Sequence, residues 1–194
     1  MADTAIDICS RALVLIGGTP IMSFGAGDTP SIVANQLYEP TLRGILSQKR
    51  WGFARTTAQL SRLSETPTGG LWLAAYQLPA DLLQIQRVEI NGLPIRYERF
   101  QSQVRCNAVE AEEVFMTYVR RVAESELPAY FITALEYELA ARFAMPVTSQ
   151  ESLTGIMRQQ ATKAWIEART AASQEQSAQR LPISRLMAVR RGRG

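Results

Sequence analysis

Two pairs of acidic residues, Glu112/Glu113 and Glu136/Glu138, are the first candidates for chemistry in this sequence. Paired carboxylates act as general acid and base when a cleft holds them a few ångströms apart. The spacing argues against that use, because neighbours on a strand point to opposite faces and residues two apart on a helix do not face each other. We therefore expect both pairs to lie on solvated faces. A hydrolase built on isolated carboxylates remains as a third functional hypothesis.

Histidine is absent from the chain, and its two cysteines, Cys9 and Cys106, are far apart in sequence with no CxxC pairing. Histidine is the commonest general base and the commonest zinc ligand, so its absence narrows the possible enzymes sharply. Cys9 falls on the apolar stripe of a predicted helix, where a buried structural thiol is expected rather than a nucleophile. The sequence predicts no catalytic residue, no metal ligand and no cofactor, and we expect the protein not to be an enzyme.

Two glycine-rich segments, 17–20 and 25–28, lack the lysine and the strand-to-helix context of a phosphate-binding loop. We expect them to be turns. The first residues carry an acid rather than a basic leader, and no apolar run approaches the ~20 residues of a membrane span. These features predict a protein that is not secreted and makes no membrane contact.

The last fifteen residues, 180–194, differ in composition from the rest of the chain. The formal net charge is +3, yet residues 1–179 hold sixteen basic and eighteen acidic side chains, whereas 180–194 hold five arginines and no acid. A basic average that comes from one terminus is typical of an interaction arm on a nearly neutral body. Apolar residues between the arginines indicate a partner surface, because exposing them to water gains nothing. The predicted partner-binding residues are Arg180, Leu181, Pro182, Ile183, Arg185, Leu186, Met187, Val189, Arg190, Arg191 and Arg193.

Three other interpretations of this tail remain: it folds back on its own body, it holds nucleic acid, or it is a disordered end. Binding phosphates needs only charge, whereas apolar residues interleaved with arginine suit a protein groove with acidic walls. We therefore favour a protein partner. The second functional hypothesis is a nucleic-acid-binding protein that uses the basic C-terminal arm.

Apolar residues at three- and four-residue steps predict helices on both sides of a central β-rich stretch. The first helix is predicted over 3–16 with Asp3 as its N-cap, and the second over 30–50. The third begins after Pro128 and is predicted to end at Pro146, because proline cannot extend the hydrogen-bonded turn.

The fourth helix is predicted to reach about Gln176, and capping-box spacing at 148–151 marks its start. Trp51-Gly52-Phe53, after the second helix, is expected to be a core anchor, since aromatic side chains dominate core packing.

Between the helices the period changes to that of strands. Runs 86–90 and 93–97 flank Asn91-Gly92, a pair suited to the positive φ angles of a type I′ turn, and predict a hairpin. A further strand is predicted over 113–119.

These elements predict a mostly α fold: a four-helix bundle with a β-rich insertion between helices 2 and 3 and an extended C-terminal tail. The predicted boundaries are 1–52 for helices 1 and 2, 53–122 for the β-rich insertion, 123–179 for helices 3 and 4, and 180–194 for the arginine-rich docking tail.

The order of several short motifs resembles the tail tubular protein A family of phage head-to-tail adaptors, or connectors. The resemblance extends over essentially the entire chain, up to the closing helix pair and the tail. The motifs that carry it are Leu15–Ile21, Gly27-Asp28, Arg50–Ala54 and Leu78–Asp81.

The resemblance implies a virion structural protein of the head-tail connector, assembled in the host cytoplasm. It implies a dodecameric ring that docks onto the portal protein through 180–194 and receives the tail or nozzle protein on its opposite face. Genome DNA would pass through the lumen without sequence-specific binding during ejection. A near-neutral body agrees with a conduit, because a strongly basic lumen would retain DNA by neutralising its phosphates.

Overall fold

Residues 3–175 are described by the structure, a computed structural model. The helices are α1 (Ala5–Leu15), α2 (Thr29–Gln48), α3 (Ala129–Thr148) and α4 (Glu151–Gln174), with a 3-10 turn at Glu124–Glu126. The strands are β1 (Arg55–Gln59), β2 (Ala74–Gln77), β3 (Leu82–Ile90), β4 (Leu93–Pro94), β5 (Tyr97–Phe100), β6 (Gln103–Cys106) and β7 (Val114–Arg120).

The predicted mostly α fold, a four-helix bundle with a β-rich insertion, is wrong. The described residues form an α/β fold in which four helices accompany two antiparallel sheets with seven strands. The helices enclose one core, the helical core, in which α1, α2 and α4 pack on α3 and Val119 and Val122 from the β region also take part. The sheets enclose a second core, so the β region is a structural unit with its own hydrophobic interior and not a small insertion.

The two sheets face each other across that second core. One has the strand order β1-β7-β3-β4 and the other the order β2-β6-β5. Alternate side chains of the strands point inward, as the two-residue period of a strand requires. The fully or nearly buried residues of this core include Ala74, Tyr76, Val88, Val104, Cys106, Val114, Met116 and Tyr118.

Strand β7 connects the two cores. Its first half carries Val114 and Met116 into the sheet core, and its second half carries Val119 into the helical core. Both neighbours of β7 are antiparallel: Gln59 of β1 and Glu89 of β3 lie opposite the same residue, Phe115. The chain therefore passes from one hydrophobic core to the other within a single central strand.

Several local predictions are confirmed. Asn91 and Gly92 have φ angles of 52° and 77° and join β3 to β4, as the hairpin motif indicated. The strand predicted over 113–119 is β7, and the second helix begins at Thr29 with Pro30 in its first turn. Trp51 is 3% exposed, and its ring meets Phe131 edge-on at 5.1 Å.

Three helix-end predictions are wrong. The N-cap of α1 is Thr4 rather than Asp3, because the Thr4 side chain and Asp7 form a reciprocal capping box. Helix α3 continues through Pro146 to Thr148. The capping-box spacing at 148–151 caps no helix start, because Thr148 ends α3 and the N-cap of α4 is Gln150, whose side chain makes no capping hydrogen bond.

Candidate functional site

The eleven tail residues predicted to bind a partner, from Arg180 to Arg193, lie outside the described residues. The two acidic pairs lie within them. Glu136 accepts from Arg11 at 2.5 Å, while Glu138 accepts from Arg142 at 2.9 Å and from the Trp165 indole at 3.4 Å. The Arg11 contact joins α1 to α3 and the Trp165 contact joins α3 to α4, whereas the Arg142 contact lies within α3. The two carboxylates of the pair therefore engage different partners.

Both cysteines are buried thiols. Burial raises the pKa of Cys9 to about 12 and that of Cys106 to about 11, so both remain protonated near neutral pH. Residues 3–175 contain no group of three or more acidic, cysteine or histidine side chains placed to hold a metal ion. No helix among them has the length and hydropathy of a membrane span.

A groove lies along α4, with α2 as its opposite wall and α3 between them. Three adjoining hollows of about 640, 140 and 220 Å³ share lining residues, and the lining of α4 runs from Thr154 to Ser173. At 1.5 Å per residue that length is roughly 28 Å. We call this surface the basic groove, because among the described residues its charged lining consists of Lys49, Arg50, Arg142, Arg158, Arg169 and a single acid, Glu138.

The charges of the basic groove are unbalanced. Arg142 is paired with Glu138, whereas Lys49, Arg50, Arg158 and Arg169 have no acidic partner within 4 Å among the described residues. Four cations along one groove produce a positive potential that attracts an anionic surface.

The floor of the basic groove contains a polar atom without a partner. Thr41 lines the middle hollow and is 3% exposed, and its Oγ1 makes no hydrogen bond within residues 3–175. A buried hydroxyl normally finds a partner, since leaving it unpaired costs about 1–3 kcal/mol. The groove thus offers an unused hydrogen-bonding group below its cations.

A surface of opposite character lies at the far edge of the sheet core. The loops 60–73 and 107–113 are joined there by a hydrogen bond of 3.1 Å from the Leu73 amide to the Asn107 side chain. Glu112 closes the second loop as a turn, its amide donating to the Val109 carbonyl and its carboxylate accepting from the Val109 amide. We call this surface the acidic tip, and its residues are Glu65, Leu73, Val109, Glu110, Glu112 and Glu113.

The acidic tip combines charge with exposed apolar side chains. Leu73 and Val109 are each 56% exposed. None of its four glutamates forms an ion pair within the described part of the chain. The nearby cation, Arg62, donates to the Ala108 carbonyl at 3.3 Å.

Neither of these two surfaces was predicted from the sequence. Residues 1–179 are nearly neutral in sum, and that sum conceals the separation of basic and acidic side chains onto different faces. One signal was available in α4, where Arg158, Thr162, Trp165 and Arg169 follow one another at four- and three-residue steps and so share a helix face. The α2 wall of the groove carried no such signal, because its contact with α4 is tertiary.

The sequence matches no protein-family model and no curated protein.

Proposed function

We propose that this chain is a structural head-to-tail adaptor of a tailed bacteriophage, which forms a ring between the portal and the tail. The observation that carries the proposal is the composition of 180–194, where five arginines alternate with apolar residues and no acid is present. Such a segment gains free energy only on a partner surface that is both acidic and apolar. The ordered motif resemblance to head-to-tail adaptors supports the portal as that partner.

In this proposal the ring is dodecameric and genome DNA crosses its lumen without base-specific contacts. The tail or nozzle protein binds on the face opposite the portal. The α/β body replaces the helical bundle that was predicted from the sequence. This change leaves the docking proposal intact, because that proposal rests on the composition of the residues that follow α4 in the sequence.

The test mixes the full chain with the portal protein of the same phage, with and without 180–194, and measures binding by sedimentation and electron microscopy. We expect a ring of the portal's rotational order with the full chain and loss of binding on truncation. Two control variants separate the contributions: one changes the five arginines to glutamine, and the other changes Leu181, Ile183, Leu186, Met187 and Val189 to serine. Equal binding by the truncated chain would refute the docking role.

Nucleic-acid binding by the same tail is the alternative, motivated by its five arginines. If all five contacted phosphates, the affinity for duplex DNA would fall with salt on a log–log slope of about 4 to 5. DNA binding that is undetectable, or insensitive to salt, removes this alternative.

A further inference from the structure

We infer that the basic groove receives the acidic tip of a neighbouring copy of this chain. The inference rests on the proposed ring and names the contact between its subunits. It concerns described residues alone and does not involve the C-terminal tail.

Charge complementarity is the first argument. Lys49, Arg50, Arg158 and Arg169 of the groove lack acidic partners among the described residues, and the glutamates of the tip lack basic ones. Surfaces of opposite potential steer subunits together and fix their register. Each surface therefore supplies what the other lacks.

Apolar complementarity is the second argument. The tip exposes Leu73 and Val109, and the groove exposes Met145, which is 53% exposed, beside Leu37 and Ala141. Protein interfaces combine an apolar centre with a charged rim. Phosphates of a nucleic acid would use the cations and leave these apolar side chains unmatched. Trp51 and Trp165 are 3% and 8% exposed, too buried to stack with bases.

The third argument is that one copy cannot make this contact with itself. The tip lies at the start of β7, where the Leu60 amide donates to the Val114 carbonyl at 2.8 Å. The groove is built on the helical core, which the other end of β7 reaches at Val119. The tip therefore lies at one end of β7, whereas the helices that form the groove pack around the core that the other end reaches, and a contact between tip and groove must join two copies.

Two different surfaces that bind each other between copies form a heterologous interface. Such a contact repeats from subunit to subunit and generates a ring when the rotation closes. An interface of this type is what the proposed function requires.

Site-specific cross-linking of the full chain tests the contact even if it is weak. Val109→Cys places a thiol on the tip and Met145→Cys places one in the groove, and both native cysteines are fully buried. Met22→Cys is the matched control, because Met22 is 90% exposed and belongs to neither surface. With a short bismaleimide, we expect the tip–groove mixture to give at least about tenfold more dimer than the tip–Met22 mixture.

Charge reversal then tests the mechanism. Arg158→Glu with Arg169→Glu in the groove partner should reduce the dimer about tenfold, and adding Glu110→Lys with Glu113→Lys in the tip partner should restore it. These residues are exposed, so the variants should keep the melting temperature of the parent. Dimer yields equal to the Met22 control, or no restoration, would overturn the inference. Groove-dependent binding of a 20-nucleotide single strand, with control-level cross-linking, would assign the groove to nucleic acid instead.

The cross-linking assay contains no portal and can be repeated on a chain truncated after 179. A negative result there, together with portal docking by the full chain, would remove the subunit contact and leave the proposed function standing. Cross-linking above the control without portal docking would support the subunit contact and refute the docking role of the tail.

Discussion

Arg121, directly after β7, joins three elements through its guanidinium. It donates to Glu39 of α2 at 2.9 Å and to Glu124 of the 3-10 turn at 2.7 Å, and the Tyr38 hydroxyl donates to Glu124 at 3.1 Å. The Arg121 side chain is 22% exposed, so its charge is only partly solvated. A network of this kind is favourable only while each member keeps its partners, because removing one leaves an uncompensated charge.

Replacing Arg121 by methionine should lower the free energy of unfolding by about 1–3 kcal/mol, because Glu39 and Glu124 lose their shared cation. Arg43→Met is the matched control: Arg43 is 52% exposed and lies 3.8 Å from the same Glu39. An exposed pair of this type contributes less than about 0.5 kcal/mol. Urea unfolding at pH 7 measures both variants, and equal losses would contradict the role assigned to Arg121.

The pH dependence of this network has a definite sign. Burial alone would raise the pKa of Glu124, but hydrogen bonds from Arg121 and its own backbone hold it below the ordinary 4.5. A carboxylate whose pKa is depressed by folding stabilises the protein at pH values above its ordinary pKa. This contribution is lost as the pH falls through the folded-state pKa. We expect Glu124→Gln to be less stable than the parent at pH 7 and to lose less stability from pH 4.5 downward. Melting temperatures between pH 7 and pH 3 check this, and parallel curves would contradict it.

Which residues were predictable depends on how local their signals are. Burial of Cys9 and Trp51 followed from apolar spacing within one helix and from residue type. Arg121 and Glu39 are 82 positions apart, and no periodicity links them. The groove cations were missed for the same reason, because tertiary packing alone brings Lys49 and Arg169 to the lining of one hollow.

At the scale of elements, the β3–β4 hairpin depends on a backbone conformation that few residues adopt. Gly92 has a φ of 77°, and a Cβ built there would meet no atom within 4 Å. Glycine is therefore required at position 92 by the backbone conformation and not by crowding from neighbouring atoms. This is a feature that the sequence alone could specify, because the turn type follows from Asn91-Gly92 itself.

Gly92→Ala should lower the free energy of unfolding by about 1–2 kcal/mol, the penalty of a left-handed conformation for an L-residue. Gly155→Ala in α4 should raise it by about 0.5–1 kcal/mol, because a Cβ there also meets nothing and alanine favours a helix. Opposite signs for the same chemical change, measured by thermal unfolding, are the expected result. A loss at both positions would argue against the backbone explanation.

Helix ends were less predictable than helices. Asp3 and Thr4 are both residue types that favour the N-cap position. Thr4 is the N-cap because Asp7, at the third helical position, forms the reciprocal hydrogen bonds of a capping box with it. Pro146 was expected to stop α3, yet the helix runs two residues past it before Ser149 adopts a φ of 56°. Local sequence preferences indicate only the approximate end of a helix, and packing against neighbouring elements determines the residue at which it ends.

For the whole molecule, the predicted fold class was wrong because the strands were expected to form an insertion in a helical bundle. The strand pattern was recognised, but its inward-facing residues were not expected to enclose a second core with Met116 and Val104 at its centre. Strand pairing of β1 with β7 joins residues 60 positions apart, and sequence periodicity does not reveal such partners. Long-range pairing, rather than element identity, is the information that was missing.

The two cores should unfold together, because β7 belongs to both. Met116 is fully buried in the sheet core, and Met116→Ala should cost about 2–5 kcal/mol. With Trp72 changed to phenylalanine, fluorescence reports only Trp51 and Trp165 in the helical core. We expect Met116→Ala to lower the urea concentration at the midpoint of that fluorescence transition. Leu93→Ala, at a residue 71% exposed, should leave it unchanged. An unshifted midpoint for Met116→Ala would show that the cores unfold separately.

The position of β7 also has a mechanical consequence. The strand is bonded along both edges, to β1 and to β3, and its two ends are anchored in different cores. A force that pulls the acidic tip away from the helices acts along these strands, so it loads the hydrogen bonds on both edges in shear and all at once. The same bonds would open one by one if the strands were peeled sideways. The molecule is therefore stiff along β7 and more compliant across it, and tension entering at the tip reaches the helical core at Val119 and Val122.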